Sequence, residues 1–261
     1  KNGVYLTLSH LGEELINEKL PGIREISIKF ANVDPVKDPV PVVPTVHYMM
    51  GGIPTTLNGQ VRDGVKQKEV NGFYAVGECA CVSVHGANRL GSNSLLDLIV
   101  FGKAAGQHIL DSSKGKKLKK LPNDVTKKTI ERLKKIDTKS SLEDPRELGE
   151  ELRAVMQKHC GVFRTPELLN EGLDKVVDLK QRIRNISIKD NSKVFNTART
   201  EALELQNLIE VALATMASAK NREESRGAHS RSDYPKRDDN SWLKHSLYNP
   251  KDGSLAYRPV K

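Results

Sequence analysis

The chain has 261 residues, 37% of them apolar and 29% charged, enough for one large or two small domains with a core. No run approaches the roughly 18 uninterrupted apolar residues of a membrane-spanning helix; the most apolar stretch, 94–110, is interrupted by Asp97, Lys103, Gln107 and His108. The net charge of +9 invites a nucleic-acid reading, but the densest basic run, Lys114 to Lys120, has no aromatic residue for base stacking and fits a solvated linker better.

Val4-Tyr5-Leu6-Thr7-Leu8 reads as a strand, and residues 9–20 follow in helical period through Leu11, Leu15, Ile16 and Leu20. Pro21 opens a second helix, where its missing N–H costs nothing. From about 40 to 112, β-rich runs at 42–43, 55–61 and 73–76 alternate with Gly/Asn turns and lead into a long helix from Ser94 to Leu110. From about 113 to 219 the pattern is helical. Asp144 and Glu147 predict a capping box around Pro145, with Leu148, Leu152, Val155 and Met156 on one face. Thr165-Pro166 opens the next helix, with Leu169, Leu173, Val176 and Ile183 inward. Asn196 or Thr197 starts the last, striped by Leu205, Leu208, Ile209, Ala212, Leu213 and Met216. Three amphipathic helices of about 15–24 residues with short connections predict an antiparallel bundle whose stripes are core, not ligand site. Beyond Ala219 the chain is polar, Arg-rich and aperiodic, and is expected to lie on a partner or parent surface rather than bury a core of its own.

The residues that carry chemistry crowd into 43–106. His47 precedes Gly51-Gly52, whose freedom lets the backbone approach closely; on residue type alone a lone histidine is more often structural than a ligand. Glu78 follows Ala75-Val76-Gly77 at a strand end, where α/β folds place ligands, and its carboxylate suits a ribose or ribityl hydroxyl. Arg89 stands in Gly86-Ala87-Asn88-Arg89-Leu90-Gly91. A guanidinium fork grips a carboxylate bidentately and stays charged, although a surface ion pair is the commoner use. Asn93, Ser94 and Leu95 open the long helix, whose unpaired amides suit an electron-rich ligand; an ordinary Ser/Asn cap is compatible with that. His85 orders this loop or touches the ligand. Cys79-x-Cys81 is one residue short of a metal or redox pair and has no second pair. Buried free thiols in a reducing compartment are therefore expected, and an iron–sulfur cluster within the chain is not supported. The Gly-x-Gly-x-x-Gly turn of a dinucleotide site does not occur.

Four stretches carry a resemblance: VPTVHYMMGGIPTTLNGQV at 43–61, NGFYAVGECACVSVHGANRLGSNSLLDLIVFGKAAG at 71–106, Asp34-Pro35-Val36-Lys37-Asp38-Pro39, and ESRGAHSRSDYPKRDDNSWLKHSLY at 224–248. They resemble the flavoprotein subunits of succinate dehydrogenase, bacterial type, in a family that includes fumarate reductase and L-aspartate oxidase. The resemblance runs along nearly the whole chain and is weakest between about 113 and 190. It implies an α/β plus all-α fold. Residues 1–40 would be the tail of a capping domain, 41–112 the C-terminal return pass of a Rossmann-like FAD-binding domain, 113–219 a three-helix bundle domain, and 220–261 an irregular C-terminal segment.

The resemblance also implies that His47 and Arg89 hold the carboxylates of succinate or fumarate. Glu78, Ser94 and Leu95 would contact FAD, with Asn93 in the same turn. FAD would take a hydride from succinate. In that family the dinucleotide fingerprint, the histidine bonded covalently to FAD and the proton-accepting arginine precede the segment matching residue 1. The chain is therefore expected to be the C-terminal part of a longer subunit, silent by itself. Implied partners are an iron–sulfur subunit and, through it, membrane anchor subunits and a quinone pool, with no nucleic acid. The implied location is the cytoplasmic face of a bacterial inner membrane, peripherally, or the matrix face of a mitochondrial one. The block from Arg226 to Arg237 is either a solvated ionic network or a stitch joining the C-terminal segment to the flavin domain and bordering the iron–sulfur subunit. Met50, Pro54 and Ser230 lean towards succinate dehydrogenase over fumarate reductase. The alternative of another class is a basic, non-enzymatic helical interaction module.

Overall fold

A computed structural model describes residues 3–43, 46–117, 120–137 and 143–260. The chain falls into two compact units, Lys1–Tyr48 and Met49–Lys261.

In the first unit, strand β1 (Val4–Leu6) pairs antiparallel with β2 (Val40–Val42), Val4 opposite Val42. The helix predicted over 9–20 is split into a 3-10 turn at Ser9–Leu11 and α1 (Glu13–Lys19). The break is at Gly12, whose φ of 79° no helical residue adopts. Pro21 does open a helix, α2 (Pro21–Ile26), which widens into a π turn over Ser27–Ala31. Arg24 fastens the unit: its guanidinium grips Asp34 at 3.1 and 2.8 Å and reaches Glu13 at 2.9 Å and Asn17 at 2.7 Å. Asp34 of the Asp-Pro motif thus has a structural use.

The second unit begins with β3 (Ile53–Pro54), β4 (Gln60–Arg62), β5 (Glu69–Tyr74) and β6 (Ala80–Cys81). β4 and β5 form a bulged antiparallel hairpin, while β3 runs parallel to β6. That parallel pair is too short to leave a period in the sequence. The long helix is α3 (Asn93–Ser113), as predicted, and its apolar residues Leu95, Leu96, Ile99 and Val100 stand exposed. In the basic run that follows, Leu118 and Lys119 lie outside the described residues, and the remainder is exposed.

Helices α4 (Lys127–Asp137), α5 (Pro145–His159), α6 (Pro166–Ile183) and α7 (Thr197–Asn221) follow. The last three pack pairwise around a core that includes Leu148, Leu152, Leu169, Val176, Leu205, Ile209, Leu213 and Met216, joined by Ile136 of α4. Burying each such side chain contributes about 1.5–3 kcal/mol. Leu208, predicted inward, is 43% exposed: it falls one position off the stripe. Asp144 caps α5 through the Arg146 N–H rather than the Glu147 N–H of a capping box. Thr165 and Asn196 cap α6 and α7. Gly172 sits where the three helices meet, since a Cβ there would stand 2.5 Å from His159 Cβ and 2.7 Å from Met216 Cε.

The C-terminal segment corrects one expectation, for it is not irregular; of the two surfaces expected for it, a partner's or the parent's, it lies on this chain's own second unit. β7 (Phe163–Arg164) pairs parallel with β8 (Ser230–Arg231). Helix α8 (Asp239–Trp242) follows, then a hairpin of β9 (Lys244–Tyr248) and β10 (Leu255–Pro259), with Tyr248 packed on the bundle core. Ionic pairing takes the place of apolar burial. Glu224, fully buried, receives Arg226 at 2.7 and 2.8 Å and Arg222 at 2.6 Å. Buried Arg231 grips Asp233 and donates to the carbonyls of Ala219, Lys220 and Arg222, closing the end of α7.

Candidate active site

The site residues of the second unit gather at the N-terminal end of α3. After β5 the chain turns at Gly77, where φ is 82° and a Cβ would stand 2.4 Å from Leu98 Cδ2 on α3. Only glycine fits between strand end and helix, and the turn throws Glu78 to the surface. Glu78 Oε1 accepts the Met49 N–H at 3.2 Å. Gly52 has the same character: its φ is 115° and a Cβ would meet Cys79 O at 2.5 Å. The Met-Met-Gly-Gly stretch is thereby laid against the Glu78 turn. His47 belongs to the first unit, where it is exposed in irregular chain, and the preceding Pro44 and Thr45 lie outside the described residues.

Arg89 is half-buried in the loop between β6 and α3. Its backbone N–H donates to Asn88 Oδ1 at 3.0 Å and its Nη1 to Leu90 O at 3.0 Å. Ser92 then takes the left-handed conformation (φ 65°, ψ −14°), and no side chain caps α3. The predicted Ser/Asn cap is therefore absent: Asn93 Nδ2 turns back to Leu90 O and Gly91 O instead. The Asn93 and Leu95 N–H groups donate to Leu90 O at 3.3 Å and Ser92 O at 3.2 Å, and the 21-residue helix brings the positive end of its dipole to this spot. Leu95, next in line, is 65% exposed.

Sequence reasoning missed Asp97. It is buried on α3, with Oδ2 on His85 Nε2 at 2.7 Å and Oδ1 unsatisfied. An acid within the most apolar helix was the available signal. His85 is thus held by a protein carboxylate, which favours ordering of the loop as its role. Also missed were Ser83 Oγ bonding His245 Nε2 at 2.9 Å, and Gly227, over which a Cβ would meet Ala87 O at 2.6 Å. The Gly227 contact shows that the Arg226–Arg237 block abuts the Arg89 loop, and His245 of the following strand adds a second contact. Cys79 is exposed and Cys81 half-buried, against expectation; only Cys160 is buried, and burial pushes its thiol up. Among the described residues no cluster of His, Cys, Asp and Glu could hold a metal, and no helix is long and apolar enough to cross a membrane.

Comparison with known proteins defines first the class. Residues 1–95 match the FAD binding domain and 149–261 the C-terminal part of the fumarate reductase flavoprotein. Relatives include the succinate dehydrogenase flavoprotein subunit of Coxiella burnetii, 51% identical, covering all of this chain and 45% of its own length. The mitochondrial subunit of Oryza sativa is 44% identical, over all of this chain and 42% of its own. Among solved structures, an E. coli quinol fumarate reductase superposes with a TM-score of 0.88 at 40% identity, over 99% of this chain and 44% of its own. Mycobacterium smegmatis Sdh1 gives 0.81 at 30%, over 99% and 43%. Adenylylsulfate reductase of Archaeoglobus fulgidus shares the fold alone, at 20% identity and a TM-score of 0.67. The chain belongs to the succinate dehydrogenase and fumarate reductase flavoprotein family, and spans less than half the length of these relatives.

Proposed function

We propose that these residues serve in the flavoprotein subunit of a succinate dehydrogenase that oxidises succinate to fumarate. The observation that carries this is the opening of α3. An uncapped helix start, preceded by Arg89 and flanked by the Glu78 turn, fits one anionic substrate and one electron-rich ring system.

The residues fit FAD. Gly52 and Gly77 let the chain pack closely on Cys79 and Leu98, Glu78 offers a carboxylate to hydroxyl donors, and the start of α3 at Asn93, Ser94 and Leu95 brings the positive end of a helix dipole. Bound FAD supplies the acceptor for a hydride. Arg89 binds one carboxylate of the diacid through a charge-assisted fork and fixes its orientation. His47 is assigned the other carboxylate by resemblance alone. The proton acceptor and the covalent FAD link are assigned to parts of the subunit outside these 261 residues.

In this reading residues 1–40 close the capping domain, 41–112 complete the FAD-binding domain, 113–219 form the helical domain and 220–261 continue past it. Electrons pass to an iron–sulfur subunit and, with membrane anchor subunits, to quinone, at the cytoplasmic face of a bacterial inner membrane or the mitochondrial matrix face. Fumarate reductase is the second reading: its flavoproteins match at 42% identity, and the same groups would hold the product dicarboxylate. The relatives give no support to a basic, non-enzymatic helical module. Arg89→Lys in the full-length subunit is expected to lower succinate turnover by roughly 100-fold or more, because an ammonium cannot make the bidentate fork, while FAD stays bound. Unchanged turnover would remove Arg89 from the site.

A further inference from the structure

The loop bearing Arg89 is held from a distant part of the chain. Residues 226–229 form a tight turn, with Arg226 N–H to His229 O at 2.8 Å and the return bond at 3.0 Å. Both ends of that turn are pinned. Arg226 is forked onto buried Glu224 and also reaches Asp239 at 2.7 Å. His229 lies between Arg164 Nη1 at 2.6 Å and Arg222 O at 3.2 Å. The tip, Gly227, has φ 59° and lies against Ala87, so close that a Cβ would meet Ala87 O at 2.6 Å and Ala87 Cβ at 2.9 Å. Further along, β9 contributes His245, whose Nε2 bonds Ser83 Oγ at 2.9 Å. Ser83 itself has φ 70°, a conformation that an external bond helps hold. The C-terminal segment therefore fastens the loop at two points, Ser83 and Ala87, six and two residues before Arg89.

We propose that Gly227 and His245 are positioning residues: they set the height of the 83–89 loop and so the placement of the Arg89 guanidinium for its dicarboxylate. The inference rests on the reading of Arg89 given above. A misplacement near 1 Å at a substrate-orienting group lowers efficiency by up to about 100-fold, so modest loosening is measurable.

The test uses the full-length flavoprotein in its complex. Gly227→Ala and His245→Ala are each expected to raise the KM for succinate and the Kd for malonate roughly 5–20-fold. kcat should change less, and FAD content should equal that of the parent. His245→Gln, whose amide can still meet Ser83, is expected to return both constants to within about twofold. Amide hydrogen exchange over 82–92 should quicken in the Ala variants and not in His245→Gln. Unchanged constants and exchange in FAD-loaded Ala variants overturn the proposal. Should Gly227→Ala not yield FAD-loaded protein, the two His245 variants decide, and failure of Gln to rescue counts against it. If Arg89→Lys itself leaves KM and turnover unchanged, the reading of Arg89 has failed, and the exchange data alone then judge the fastening.

Discussion

Asp97 is buried on α3 with one oxygen on His85 and the other unsatisfied. Removing the hydrogen-bond partner of such a buried side chain strands it. His85→Ala is expected to cost about 2–4 kcal/mol in urea unfolding. Asp97→Asn, which keeps an acceptor for His85 and removes the buried charge, is expected to stay within about 1 kcal/mol of the parent. Equal losses in the two variants would show that the pair does not stabilise the loop. At this scale the placement of Glu78 after a strand-end glycine, and of Arg89 and Asn93–Leu95 at the start of α3, was legible because glycines and a helix start surround them in the chain itself. Gly227 and His245 were not, because the groups they touch lie far away in sequence. The Cys79 side chain was misjudged for a related reason: burial depends on what lies over a turn, and a Cys-x-Cys spacing says nothing about that.

Secondary-structure elements were read well where periodicity is long. α5, α6 and α7 start at their expected caps, since Asp144, Thr165 and Asn196, with Pro at the first position of α5 and α6, are local signals, and α3 starts within a residue of its expected position without the cap. The β9–β10 hairpin escaped because its strands are short and mixed, with charged stems such as Lys244 lying over Trp242 and Tyr257. Two variants probe the elements. Gly172→Ala forces a methyl into His159 and Met216 at the meeting point of three helices, and is expected to destabilise by about 1–3 kcal/mol in denaturant unfolding. Ser92→Gly is expected to stabilise by up to about 1 kcal/mol, because serine is held at φ 65° without a compensating cap bond. A loss on Ser92→Gly would mean that the side chain has a partner of its own.

For the molecule as a whole, the ionic C-terminal segment makes stability sensitive to acid. Burial, with the charges of Arg164, Arg231 and Arg222 around it, lowers the His229 imidazole from 6.5 to about 4. The unfolded imidazole binds its proton first as pH falls, so stability is full above about 6.5 and is lost progressively down to about 4, by about 1–3 kcal/mol. Burial pushes the Glu224 carboxyl up, but bonds from Arg226, the Asp238 N–H and Arg222 together hold it below its usual range, so its contribution is lost at lower pH. His229→Gln should flatten the slope of unfolding free energy between pH 6.5 and 4; an unaltered slope would place the sensitivity elsewhere.

α3 also turns Leu95, Leu96, Ile99 and Val100 outward, each more than half exposed. Produced by itself, a polypeptide with that greasy stripe would light up a hydrophobic dye such as ANS, cling to chaperones and run as mixed oligomers on a sizing column. Replacing Leu96 and Ile99 by glutamine should quieten all three behaviours while leaving the helical bundle's circular dichroism unaltered.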